Sequence, residues 1–177
     1  YAPLQGGTHH LNTRVFQTSR FGKNPGATST STLSMGQYRY SRAVGDHLSF
    51  QVGCFGSMQK SFSSLYPDID LLTFNGAYFN QVEWSNRGWK LAGGVRYENN
   101  VNPGIFSEYS GPIYRFGLNR KITPTTNLRF SYGESLRFAS LAERYVEGSL
   151  TDGINIQGNI GLQSESGNNW ELSLIHI

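Results

Sequence analysis

Three arginines, Arg96, Arg115 and Arg129, fall at matching points of three successive apolar–polar alternations, each on the polar side. A guanidinium is a planar fork of donors that meets a carboxylate in two parallel hydrogen bonds. Such a row on one face of a sheet could grip acidic groups or line the route of an anionic ligand. A solvated polar wall with no particular partner is the competing reading. The other chemistry-bearing residues offer less. His9 and His10 are adjacent, and neighbours on a strand point to opposite faces, so one metal ion could not take both there. Asp68 and Asp70 supply two carboxylates where calcium takes about six to eight oxygens, and Pro67-Asp68 reads as a turn. The sequence contains no GxGxxG after a strand, no GxxxxGK[ST] phosphate loop, no GxSxG elbow and no HExxH pair. No metal, cofactor or enzymatic activity is implied.

The elements that must position these arginines are β-strands. The chain has 177 residues, enough for one domain, with 14% aromatic residues and 21 glycines, while charged residues supply 15%. A typical soluble domain carries about 25% charge. Disordered and coiled-coil classes, rich in charge and poor in aromatics, do not fit. No window approaches the ~18 apolar residues of a membrane-spanning helix, although barrel strands escape such a search because they alternate. The single Cys54 allows no internal disulfide and no cysteine zinc cluster. A net charge of +3, without a Lys/Arg run, gives no sign of nucleic-acid binding.

Period-two alternation is clearest over residues 89–97, where Trp89, Leu91, Val95 and Tyr97 alternate with Lys90, Ala92 and Arg96. It recurs at Leu48, Phe50, Val52 and Cys54, at Phe74, Tyr78, Val82 and Trp84, at Tyr114, Phe116 and Leu118, and at Leu128, Phe130 and Tyr132. Residues 11–19 and 33–42 show it more weakly. Gly45-Asp46, Asn86-Arg87-Gly88 and Thr123-Pro124-Thr125 are brief turns, whereas 21–32, 57–70, 99–111 and 134–168 read as long Gly-, Ser-, Asn- and Pro-containing loops. With Gln37, Val52, Tyr78, Gly93, Tyr114 and Arg129 as strand midpoints, successive spacings are 15, 26, 15, 21 and 15. Short and long alternate strictly. All tight turns then lie at one end and all long loops at the other, as in an outer-membrane barrel, whereas a β-sandwich with Greek-key crossings has no reason to alternate. Leu48, Phe50, Val52, Leu91, Val95, Phe116, Leu118, Leu128 and Phe130 are therefore expected to face hydrocarbon. Gln51, Lys90, Arg96, Arg115, Asn119 and Arg129 are expected to face a wet lumen, and Trp84 and Trp89 to join an aromatic girdle.

Residues 127–146, NLRFSYGESLRFASLAERYV, resemble the "LRASYGxGFRxPSLAERY" stretch in the barrel of TonB-dependent outer-membrane receptors, particularly of Bacteroidetes type. Residues 158–172, GNIGLQSESGNNWEL, are similar to that family's "NPNLKPExGWSxELG" passage. GGVRYE at 93–98 resembles its "GLRYE", and YRFGLN at 114–119 its "RFGLNY". Ala139 and Gln163 depart from it, standing where the family has proline. The resemblance covers about residues 70–172. It implies an all-β fold, an antiparallel up-and-down sheet forming about eight strands of a large transmembrane outer-membrane β-barrel of about 22.

It further implies, for the whole protein, residence in the outer membrane of a Gram-negative bacterium, amid outer-membrane lipid. The activity implied is uptake of a siderophore, a cobalamin or a glycan, energised through the TonB complex. The partners would be the receptor's own plug domain, TonB and the small-molecule or glycan ligand. Arg96, Arg115 and Arg129 become candidates for contact with plug or ligand, while Arg137 and Glu143 match charged positions of the family motif and brace the long loop. Residues 1–171 are expected to be partial barrel, with the plug absent. Residues 172–177 look like a non-native tail. Two alternatives remain: a small complete outer-membrane barrel with a structural or adhesive role, and a soluble carbohydrate-binding β-sandwich using Tyr66 and Tyr109 as stacking platforms. The missing signal segment and closing aromatic residue argue against the first.

Overall fold

The computed structural model describes residues 6–21, 28–64, 71–102, 105–149 and 155–176. Ten strands and one short helix follow in the order β1 (Thr8–Phe21), β2 (Thr28–Val44), β3 (Leu48–Ser63), β4 (Leu71–Asn86), β5 (Trp89–Asn102), β6 (Ile105–Lys121), β7 (Thr126–Arg137), α1 (Leu141–Tyr145), β8 (Glu147–Ser149), β9 (Asn155–Gln157) and β10 (Glu165–His176). Eight of them form one sheet in the order β1-β2-β3-β4-β5-β6-β7-β10, every pair antiparallel, and β8 and β9 form a separate hairpin. The long strands run to 12–17 residues. About 9–11 suffice to cross a bilayer at a tilt. The sheet is open: among the described residues β1 pairs only with β2, and β10 only with β7.

Register sorts the side chains cleanly. Gln51, Gln81, Gly94, Arg115, Gly133 and Asn169 oppose one another in one cross-strand row, so they share a face. Leu48, Trp84, Leu91, Leu118, Phe130 and Leu172 form a row of the opposite parity. One face is polar and one greasy, as the alternation requires. The sheet has almost no core of its own: the buried apolar side chains among the described residues are Leu71, Ala77, Ile113 and Leu141, while Leu11 and Leu172 are 77% and 73% exposed. A greasy surface of this extent calls for an apolar solvent.

The tight turns are built by conformations that the local residues favour. Arg87 (φ 43) and Gly88 (φ 80) are both left-handed in the two-residue connection between β4 and β5, as a primed hairpin turn requires, and Gly45 (φ 67) opens the turn between β2 and β3. At the other end the strands run further than turn propensity suggests. Residues 99–111, expected as a loop, lie largely within β5 and β6, with Asn99 opposite Ser110 and Asn100 opposite Tyr109. Residues 57–63 likewise extend β3. The reason is cross-strand satisfaction: the Asn100 amide donates to Asn75, and Ser31 and Ser61 share a hydrogen bond of 2.9 Å, so polar residues that favour turns locally are held in the ladder. Leu172–His176, expected to stand outside the barrel, continue β10, with Leu172 opposite Phe130 and Leu174 opposite Leu128.

β6 and β7 pair only from Arg115/Gly133 down to Lys121/Asn127. Above that point the Tyr114 N–H donates to the Glu134 carboxylate at 2.9 Å, so a side chain replaces the missing ladder acceptor. The next residue of the same orientation is Pro112, which has no N–H to leave unsatisfied.

Candidate functional site

Arg96, Arg115 and Arg129 stand on β5, β6 and β7, all on the polar face, and all three border one concavity of about 430 Å³. Their surroundings differ. The guanidinium carbon of Arg96 lies 5.5 Å and 5.9 Å from the ring centroids of Phe55 and Phe79, and its Nε donates to the Glu98 carboxylate two residues along the same strand. Arg96 is thus neutralised and stacked within the wall itself. Arg115 lies opposite Gly94 and Gly133, and Arg129 opposite Asn119 and Ser173. Around them Ala92, Gly117 and Ser131 make a low floor, and both arginines are exposed. Neither has an ion pair or side-chain hydrogen bond among the described residues. Arg129 also borders a second concavity of about 410 Å³ toward the short turns, with Glu83, Lys90 and Asn119.

Another arginine of the polar face escapes the alternation argument. Arg39 on β2 shares a cross-strand row with Gly53, Phe79 and Arg96, and its Nε is buried with no hydrogen-bond partner among the described residues. The Phe79 ring lies over Gly53, where a Cβ would come within 2.4 Å of it, so glycine is needed for that approach. The signal for Arg39 was its place between Gln37 and Ser41, obscured by the tyrosines that flank it.

At the long-loop end, Arg137 closes β7 with two forks. Its Nε and Nη2 donate to Glu165 at the start of β10, each at 3.0 Å, and Nη1 donates to both Glu143 oxygens at 3.0 and 3.1 Å. Glu143 is also the third residue of α1, where it accepts from the backbone and hydroxyl of the N-cap Ser140 while the Ser140 hydroxyl accepts from the Glu143 N–H, a capping box. These donors, Ser140 first and then Arg137, lower the Glu143 carboxyl from 4.5 to about 2. Arg144, which no charge pattern marks as interior, is 1% exposed and donates to the carbonyls of Ile160 and Leu162. A Cβ on Gly158 would lie 2.4 Å from the Arg144 carbonyl oxygen, so the turn after β9 seats on α1 only with glycine there. The loop after β7 is therefore a small folded unit pinned to the rim.

His9 packs on the greasy face, with its Nδ1 2.7 Å from the Tyr38 hydroxyl and its ring 4.9 Å from that of Tyr40, while His10 opposes Arg39 on the polar side. Among the described residues no three His, Cys, Asp or Glu side chains gather as a metal set. Tyr66, Asp68 and Asp70 lie outside the described residues, as does the side chain of Tyr109. Trp84 and Trp89 both stand on the greasy face beside the Arg87-Gly88 turn.

Membrane-spanning strands, wet on one side and greasy on the other, with short turns at one end and a folded loop at the other, define the wall of a transmembrane β-barrel. The family described as TonB dependent receptor-like, beta-barrel matches residues 2–175, and the chain belongs to that family. It is a family of outer-membrane receptors and transporters, not of enzymes. No curated protein matches the chain.

Proposed function

We propose that this chain is the wall segment of a Gram-negative outer-membrane receptor that takes up a scarce nutrient, a siderophore, cobalamin or glycan, using energy delivered through TonB. The eight-stranded sheet, with β10 running to His176, forms part of the barrel, and further strands join the open edges at β1 and β10. The plug and the segment that engages TonB lie elsewhere in the receptor. The observation that carries this proposal is the two-faced eight-stranded sheet within a chain of this family. Within it, Arg115 and Arg129 face the lumen, have no partners among the described residues, and hold carboxylates of the plug or of an anionic ligand; Arg96, already paired with Glu98, shapes the wall beside them. The test uses the intact receptor in its host. Deleting the gene should abolish growth on one limiting nutrient of these classes, and depolarising the inner membrane should stop uptake of that nutrient. Growth and uptake indifferent to both treatments would refute the transport role, and wild-type uptake with normal plug retention in an Arg115→Glu/Arg129→Glu receptor would remove the arginine assignment.

A further inference from the structure

An arginine on the hydrocarbon side of a barrel is costly at mid-depth, and that cost falls nearly to nothing at the interface. Arg120 has this placement. It is the penultimate residue of β6 (Ile105–Lys121), on the same side as Phe116 and Leu118. Its guanidinium carbon lies 4.5 Å from the ring centroid of its cross-strand neighbour Trp89, and its Nη1 donates to the Arg87 carbonyl at 2.9 Å. The left-handed pair Arg87-Gly88 aims that carbonyl at the guanidinium, so turn, indole and arginine are fixed together. Arg120 has no ion pair among the described residues, and its Nε and Nη2 make no hydrogen bond there. The fork is stacked, oriented and unneutralised, on a turn that carries a second cation, Arg87. The neighbouring short turns contain no arginine: 45–47 is Gly-Asp-His and 122–125 is Ile-Thr-Pro-Thr.

We infer that Arg120, held by Trp89 and the Arg87 carbonyl, binds the phosphate of a glycerophospholipid headgroup, with Arg87 as the second cation. This rests on the outer-membrane reading, in which short turns lie at the periplasmic leaflet. The acyl chains would run over Leu118, Leu128 and Leu174, which adjoin Arg120 on the greasy face.

The intact receptor, purified in mild detergent from its host, should retain glycerophospholipid by native mass spectrometry. Retention should fall about fivefold in Arg120→Gln, the factor that one cation's attraction to an anionic surface supplies. Arg120→Lys should fall between, Trp89→Leu should also lose lipid, and Asn119→Gln on the lumen side should match wild type. Heat-modifiable mobility on a gel checks folding; if Arg120→Gln does not fold, Arg120→Lys and Trp89→Leu decide. Equal retention by wild type and the folded variants overturns the inference. So does displacement of the lipid by millimolar inorganic phosphate, which would mark a free-phosphate site, or retention of lipid A alone, which would place the turn at the other leaflet. A product soluble without detergent would sink the outer-membrane reading itself, a different failure.

Discussion

Phe116→Arg, set beside Gly117→Arg, tests the two faces of the wall at a single depth. From Phe116 the strand continues five residues to its end at Lys121. At ~3.3 Å per residue and a tilt of about 40°, that places Phe116 about 13 Å above the short-turn rim, near the middle of an apolar band about 25 Å tall. An arginine there costs about 2–4 kcal/mol. Losing the ring pair with Phe130, whose centroid is 6.4 Å away, adds about 0.5–1.5 kcal/mol. The expected loss is about 3–5 kcal/mol, at least a hundredfold in the folded-to-unfolded ratio. The adjacent Gly117 has the opposite parity; a Cβ there meets only the Ala92 Cβ, at 3.9 Å, so its arginine enters water with a change within about 1 kcal/mol. Urea titration of the intact receptor refolded into vesicles, followed by heat-modifiable mobility, reads both. A tolerated Phe116→Arg beside a destabilised Gly117→Arg would mean that the faces are assigned backwards, and every lumen assignment would reverse with them.

Three further outcomes follow from the wall and its rim. Because Glu143 is lowered from 4.5 to about 2, its stabilising effect on the loop is complete above its ordinary value and is lost as pH falls from about 4.5 toward 2. Hydrogen-exchange protection over residues 138–149 and 155–164, taken relative to the intrinsic rate at each pH, should therefore be level between pH 7 and 5 and fall steeply below about 4, whereas Glu143→Gln should lower it even at pH 7. Gly158→Ala should expose the same loop to proteolysis, since a Cβ cannot sit 2.4 Å from the Arg144 carbonyl, and leave gel mobility of the barrel unchanged. Arg96→Gln should lower barrel stability by about 1 kcal/mol through lost stacking on Phe55 and Phe79 while sparing uptake, and Arg115→Gln/Arg129→Gln should do the reverse; both acting alike would deny the distinction between them.

The strands were legible because a wall between water and hydrocarbon imposes strict parity, and parity survives without any knowledge of the partner strand. Arg96, Arg115 and Arg129 share the polar face of the sheet for that reason. Strand length beyond the bilayer was not legible, because Asn99, Asn100, Ser57 and Ser61 favour turns alone and become strand residues only when Asn75 and Ser31 arrive from elsewhere in the chain. Burial of Arg144 was hidden for a related reason: its acceptors, the carbonyls of Ile160 and Leu162, are backbone atoms more than a dozen residues downstream, which side-chain types do not announce.

What separates the arginines of this wall is the placement of its few carboxylates. Glu98 is two residues from Arg96 on the same face, and Glu165 opposes Arg137 across the β7–β10 ladder, so in each case register alone makes the pair. Glu83 accepts from Gln81 at 2.6 Å, and Glu171 lies opposite Ser131, diagonal to Arg129 and without an ion pair to it. Arg115 is flanked across the ladder by Gly94 and Gly133, which bring no charge and no bulk. A guanidinium on a glycine floor serves poorly as a packing residue, and one that forms no ion pair within the sheet serves poorly as a brace. Under the proposed function, Arg115 and Arg129 meet an acidic group from outside the sheet, which would tie their role to whatever fills the lumen.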